Sequence, residues 1–470
     1  MEVQNRKSLE KATLVVTSFA AFVTPFIGSA TNIALPAIGK EFSANAVMLS
    51  WVATSFLLSA AVFLAPFGRL ADILGRKKIF NWGLIVFTVS SFLCAFSPSI
   101  EILILWRIVQ GFGGALIFGT AMAIITSVFP REKRGGALGI VVASVYTGLT
   151  LGPFIGGFLT KEWGWETIFL FTVPLGLISI ILSFIYFKEE WADAKGEKFD
   201  WKGSLIYGLA IISLMYGFGE LPEMHGILYT IGGILGITIF ILFEKRQKFP
   251  VVNILLFQNN RVFAFSNYAA LINYSATFAI GFLLSLYLQY IKGLNPLDAG
   301  KILVIQPLLM AIFSPITGKL SDKIDAGKIA SFGMALISIG LFVIAFINKD
   351  SSIWFIIPIL ILFGIGYSLF SSPNTNAIMS SVEKKYYGIA SGTVGTMRLI
   401  GQMLSMGIAM MIFSIFIGKA KINPENFTEF ILSIRTAFFI FAVLCFIGIF
   451  LSLARGKSNN TINDITRSTK

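Results

Sequence analysis

Apolar runs of about twenty residues recur from one end of this chain to the other, and the short segments between them hold nearly all of its charges. A helix of that length crosses ~30 Å of hydrocarbon, with every backbone polar group bonded inside the segment. The pattern predicts fourteen spans, at approximately 12–36, 46–67, 79–97, 101–125, 136–160, 166–187, 203–220, 226–243, 262–290, 298–318, 327–347, 352–380, 387–416 and 431–454. Alternation with a period of two, which a transmembrane barrel requires, is weak. The first run is too long for a signal-peptide core and has no clear small-residue cleavage site, so it reads as a retained span. The fold class is an all-α polytopic membrane protein.

Composition agrees with this. Mean hydropathy is +0.80 and 13% of residues are charged, against about 25% in typical soluble chains. The net charge of +13 would suit nucleic acid, but topology explains it better, and no nucleic-acid partner is expected. One alternating set of connections holds 27 of the lysines and arginines and the opposite set holds 7, with Arg107, Arg398 and Arg435 in or at the ends of spans. By the positive-inside rule this places both termini in the cytoplasm of a multi-pass cell-membrane protein. Cys94 and Cys445 lie in apolar runs and His225 sits alone in a short connection, so neither a disulfide framework nor a metal site is expected.

The two halves repeat one another. GRLADILGRKK (Gly68 to Lys78) follows the second span and GKLSDKIDAGK (Gly318 to Lys328) the tenth; both read Gly, base, Leu, small, Asp, then a basic turn. A repeat of this kind points to two bundles that rock against each other. The expected division is an N-terminal six-helix bundle (1–187), a linker with two inserted helices (188–261), a C-terminal six-helix bundle (262–455) and a cytoplasmic tail (456–470). No phosphate-binding G-x-x-x-x-G-K-[ST] loop is present, which leaves ATP-driven pumping without an engine.

Five segments carry candidate chemistry. The fifth span reads GALGIVVASVYTGLTLGPFIGG, with Gly139, Gly148, Gly152, Pro153, Gly156 and Gly157. Gly148, Gly152 and Gly156 recur every fourth residue and line one helix face, which lets a neighbour approach backbone to backbone. The loop after the second span supplies Gly68, Arg69, Asp72, Gly75, Arg76 and Lys77, echoed by Gly318 and Asp322. The fourth span, LILWRIVQGFGGA, buries Arg107 near Gln110; mid-helix arginine costs roughly 2.5–3.5 kcal/mol on insertion scales, so it must face an aqueous cavity or a polar partner. The first span ends on Asn32-Ile-Ala-Leu-Pro, and the thirteenth, GIASGTVGTMRLIGQMLSMG, carries a second intramembrane cation, Arg398. Gln289, Gln306, Asn374, Asn376 and Gln402 are further polar side chains that could face either a cavity or another helix.

Together these residues resemble the major facilitator transporters, and within them the fourteen-span drug:proton antiporters. The resemblance implies two six-helix bundles plus two inserted helices, and alternating access around a midplane site. It implies a latch role for Gly68, Asp72 and Arg76, a coupling role for Arg107, and an antiporter motif on the fifth span that packs at the bundle interface. Ile73 stands where the family usually has a base. Ile27 stands five residues before Asn32, where the drug:proton branch usually has an Asp. No Asp or Glu occupies the middle of a span; Asp72, Glu101, Glu166, Glu220 and Asp322 lie at span ends.

The leading functional expectation is proton-coupled efflux of amphipathic drugs or other small organic compounds. Partners would be the bilayer, a small-molecule substrate and protons, with a proton gradient in place of any cofactor, and a monomer is expected. Two membrane arginines without membrane acids favour an alternative, uptake or exchange of a small organic anion. A membrane enzyme would need a His or carboxylate cluster at one depth, which the sequence lacks, so no catalytic residue is assigned. A receptor or scaffold that has lost transport is disfavoured by the intact loop and glycine motif.

Overall fold

The computed structural model describes residues 2–247, 250–251, 254–321, 323–382, 387–418 and 420–456. Among these every regular element is helical. The order is α1 (Glu2–Glu41), α2 (Ala46–Leu74), α3 (Arg76–Ala95), α4 (Ile100–Val128), α5 (Arg131–Trp163), α6 (Glu166–Tyr186), α7 (Trp201–Glu220), α8 (Met224–Glu244), α9 (Ile254–Asn259), α10 (Arg261–Thr277), α11 (Ala279–Leu286), α12 (Pro296–Leu303), α13 (Ile305–Ser321), α14 (Ala326–Ile344), α15 (Ile353–Ser380), α16 (Tyr387–Phe416) and α17 (Phe427–Ala454). Fourteen of the resulting segments are long and apolar enough to cross a membrane.

The expected spans are all present, with two interruptions that apolar periodicity does not reveal. The ninth span is α10 and α11, offset at Phe278 and ended by a π-helical turn over Tyr287–Ile291. The tenth is α12 and α13, offset at Val304. Caps set many of the ends. Asn45, Ser99, Asn260, Asn295 and Ser352 each accept a backbone N–H of the first turn, which supplies a partner that the first turn cannot find within its own helix. His225 falls in the first turn of α8 and not in the connection, with its ring Nε2 3.2 Å from Glu220 Oε2.

Helices α1–α6 pack among themselves, α10–α17 do likewise, and α7 and α8 pair with each other. The inserted pair leans on both groups. Tyr207 donates to the Ala61 carbonyl at 2.9 Å, and Ser414 donates to the Gly219 carbonyl at 3.1 Å. The core runs continuously through both groups, from Phe26 and Phe169 to Phe282 and Phe413, all fully buried. Long apolar side chains on the outside, such as Phe184, Leu235, Phe342 and Phe450, face where acyl chains would lie.

The α2–α3, α4–α5, α6–α7 and α13–α14 connections share one end, which carries most of the basic residues; here it is called the basic end. At the opposite end the two groups are knitted together. Ser285 donates to the Asn32 carbonyl at 2.6 Å and Gln289 to the Ile33 carbonyl at 2.9 Å. A Cβ placed on Gly157 of α5 would lie 2.5 Å from the Pro296 carbonyl oxygen, and one on Gly300 of α12 would meet the Pro153 carbonyl. Toward the basic end, a Cβ on Gly136 or Gly139 of α5, or on Gly392 of α16, would meet nothing within 4 Å. The arrangement is closed at one end and open at the basic end.

Candidate functional site

The second half of α5 is more buried than the first, and its glycine stripe allows the close approach there. Gly148, Gly152 and Gly156 sit against α1, where added Cβ atoms would crowd Phe22 and Phe26, Ser29, and Ala30 respectively. The expectation that this face packs at the interface between bundles is therefore corrected. Four-residue spacing keeps these glycines on one face, and that face meets α1 of the same group. Gly157, turned about 100° further round the helix, is the one of these that meets α12 in the other group. Gly139 lies beyond the close contact.

Arg107 is 1% exposed and sits inside α1–α6. Its Nε donates to the Val52 carbonyl at 3.0 Å and its Nη1 to Gln110 Oε1 at 2.5 Å; Gln110 in turn donates to Ser91 Oγ at 2.7 Å. Its guanidinium also lies 4.6 Å from the Phe56 ring centroid, a favourable cation–π distance. Of the two environments open to a buried arginine, this is the polar-partner one: α2, α3 and α4 are pinned through neutral hydrogen-bond partners of Arg107. Ile27 is fully buried in the core, and Asn32 contributes its carbonyl to the closed end.

Across the two groups, at mid-depth, aromatic and polar side chains from six helices converge. Tyr146 (α5) lies 3.4 Å from Ser371 Oγ (α15). Tyr274 (α10) and Tyr367 (α15) are edge to face, with centroids 5.8 Å apart at 68°. Arg398 (α16) stands 5.6 Å over the Phe118 ring of α4 and is close enough to interact electrostatically with Tyr146 and Tyr367. Ser314 of α13, 5% exposed, places its side chain beside Tyr146. Arg398 is thus the one sequence-chosen residue that reaches this cluster. The tyrosines were not legible beforehand, because three among 12 tyrosines and 46 phenylalanines share no spacing; only the packing unites them. Of the polar candidates, Gln289 ties the closed end, and Asn376 donates to Ser321 Oγ at 3.0 Å. Asn374 donates to the Ser266 carbonyl at 3.0 Å and accepts from Arg455 at 3.2 Å. These bonds are helix–helix contacts. Gln306 and Gln402 are half-buried.

At the basic end, Asp72 Oδ1 accepts from Arg76 at 2.7 Å, and Arg76 also bonds Ser127 Oγ at 2.8 Å. Gly75 holds φ at +120° in the turn between α2 and α3, a conformation that side chains disfavour. Gly68 lies near Gly119 of α4, whose added Cβ would be 3.4 Å from the Gly68 Cα. A Cβ on Gly318 would lie 3.8 Å from Ser372 Oγ of α15, an ordinary contact, and Asp322 lies outside the described residues. In the second loop, Asp325 caps α14, accepting from Gly327 N at 2.7 Å and Lys328 N at 3.3 Å. Arg455, 3% exposed just past α17, lies beside it. Burial pushes that guanidinium down to about 10, with Asp325 acting in the opposite direction, so it stays charged at neutral pH. Among the described residues no group of His, Cys, Asp and Glu could hold a metal ion.

The profile of the Major Facilitator Superfamily matches residues 17–406. The chain belongs to that superfamily. This major facilitator chain is 31% identical over 447 residues to the riboflavin transporter RibZ of Clostridioides difficile, covering 94% of this chain and 96% of that protein. It is 29% identical over 419 residues to the multidrug resistance protein Stp of Mycobacterium tuberculosis, covering 88% and 77% respectively. In fold it is similar to a bacterial homologue of the human lysosomal transporter Spinster, with a TM-score of 0.66 at 17% identity over 96% of this chain and 97% of the other. It is a transporter of the major facilitator fold and not an enzyme, as the motifs implied.

Proposed function

We propose that this protein is a secondary transporter working by alternating access, and that it moves planar aromatic molecules that are uncharged or anionic. α1–α6 and α10–α17 are the rocking bundles, α7 and α8 the inserted pair, and the basic end faces the cytoplasm. The observation that carries the substrate reading is the mid-depth cluster of Tyr146, Tyr274, Tyr367, Phe118 and Arg398, drawn from both bundles. Aromatic faces stack on planar ligands. The guanidinium attracts negative charge or a carbonyl edge, and the buried Ser314 hydroxyl beside Tyr146 offers one further hydrogen bond. A lipophilic cation would meet Arg398 with no carboxylate at mid-span to offset it. Similarity to RibZ along nearly the whole of both chains makes riboflavin, a flat ring system with a polar tail, the first compound to test.

Proton-coupled efflux of amphipathic drugs is the second reading. The α5 glycine stripe and the relatives named multidrug resistance proteins favour it. In either reading a proton gradient is the proposed driving force, and coupling would fall to an end-placed acid such as Asp72 or to the substrate itself. Binding to purified protein separates the two readings. Riboflavin should quench protein fluorescence saturably in the wild type and about tenfold more weakly in Arg398→Gln. Saturable binding of tetraphenylphosphonium with none of riboflavin would favour drug efflux instead.

A further inference from the structure

The segment between α6 and α7 is a run of mixed charge, Lys188 to Asp200. In the structure it is folded onto the latch loop. Trp191 anchors it, its ring 5.7 Å from that of the fully buried Phe187. From there the backbone pairs with the loop twice. Arg76 N donates to the Trp191 carbonyl at 2.8 Å, and Ala194 N donates to the Asp72 carbonyl at 2.9 Å. Three acids then engage the loop in sequence. Glu190 Oε1 accepts from Lys77 N at 2.8 Å, Asp193 Oδ2 lies 2.8 Å from Arg76 Nη2, and Glu197 pairs with Arg69. The fit is close: at Gly75 an added Cβ would strike the Glu190 side chain.

The second loop is closed in the same way with the charges reversed. There the residue leaving the last helix of the bundle is a base, Arg455. It lies against Gly327, where an added Cβ would be 3.2 Å from Arg455 Nε, and beside the acid Asp325. Each loop is thus held by the segment that follows the sixth helix of its own bundle. Arg69 and Arg76 cannot pair fully with the linker acids and, at the same moment, with acceptors on the other bundle, because a guanidinium has a limited fork of donors.

We propose that the α6–α7 linker is an acidic clasp that holds the latch arginines on their own bundle and so sets the resting balance toward the state open at the basic end. Glu190, Asp193 and Glu197 are its positioning residues. The inference rests on the alternating-access reading above. The clasp competes with closure, and its partly exposed pairs, with Asp193 73% and Glu197 34% exposed, place it within reach of ionic strength.

The test uses the full chain in nanodiscs, with Cys94 and Cys445 replaced by alanine and spin labels at Ile140→Cys on α5 and Ile316→Cys on α13. Both positions are exposed, and their helices face each other across the bundles. Distances are compared between the native linker and Glu190→Gln/Asp193→Asn/Glu197→Gln. Neutralising the acids should raise the short-distance (closed) population relative to the long one by about tenfold, since each partly exposed ion pair is worth a factor of a few. With the native linker, added salt should move the ratio the same way, and in the neutralised variant it should not; this second measurement involves no new fold. Equal ratios with both linkers, or an equal salt response, would overturn the clasp while leaving alternating access standing. A single distance in every condition, riboflavin included, would overturn both.

Discussion

Gly157→Ala is a one-carbon change whose effect should depend on which end of the transporter is closed. The added Cβ would lie 2.5 Å from the Pro296 carbonyl oxygen and 3.0 Å from the Leu297 Cα. Both are backbone atoms, so no rotamer change relieves the clash. A carbon–oxygen contact normally sits at about 3.3 Å or more, so α5 and α12 must part by roughly 0.8 Å. Overpacking of this kind costs ~1–3 kcal/mol, and the cost falls only on the conformation that brings these helices together. The balance should move toward the opposite conformation by a factor of about 5 to 150. Distance measurements between the labelled α5 and α13 read that ratio directly. Two substitutions in the same motif are internal controls. At Gly139 an added Cβ meets nothing within 4 Å, so Gly139→Ala should leave the ratio unchanged. Gly156→Ala crowds Ala30 of α1, with Cβ atoms 2.7 Å apart, inside one bundle. It should lower the melting temperature without moving the ratio. An unchanged ratio in Gly157→Ala, or an equal shift in Gly139→Ala, would refute the assignment of Gly157 to the closed end.

Arg107→Met retains bulk but removes the bonds to Val52 and Gln110. Leaving Gln110 Oε1 without its donor should cost about 1–3 kcal/mol, seen as a lower unfolding temperature in detergent, with substrate affinity retained if the residue is structural. Tyr367→Ala removes the edge-to-face partner of Tyr274 and should weaken riboflavin binding roughly three- to tenfold by loss of aromatic contact, whereas Tyr367→Phe should bind nearly as the wild type does. Asp72→Asn breaks the pair with Arg76 and should slow turnover in vesicles with little change in binding; a wild-type rate would contradict a latch role.

The spans were legible because membrane burial imposes a length of about twenty residues on each helix, and that constraint is local. The offsets at Phe278 and Val304 were not, because a break inside an apolar run leaves the hydropathy unchanged. The α5 glycines announced a close approach but not the neighbour. Spacing defines a face, and only the packing shows that Gly156 meets α1 while Gly157 meets α12. Arg107 and Arg398 stood out equally as membrane cations, yet one is enclosed within a bundle and the other stands between bundles. The difference lies in the orientation of α4 and α16, which no local pattern encodes. The pairing of the linker acids with the loop after α2 was not legible, because their partners are more than a hundred residues distant in sequence.

The most direct test of the central claim is counterflow in proteoliposomes loaded with unlabelled riboflavin. Labelled riboflavin should accumulate transiently in vesicles holding the wild-type protein, far less with Arg398→Gln, and no less with an excess of tetraphenylphosphonium outside. Accumulation of a lipophilic cation in the equivalent experiment, with none of riboflavin, would contradict it.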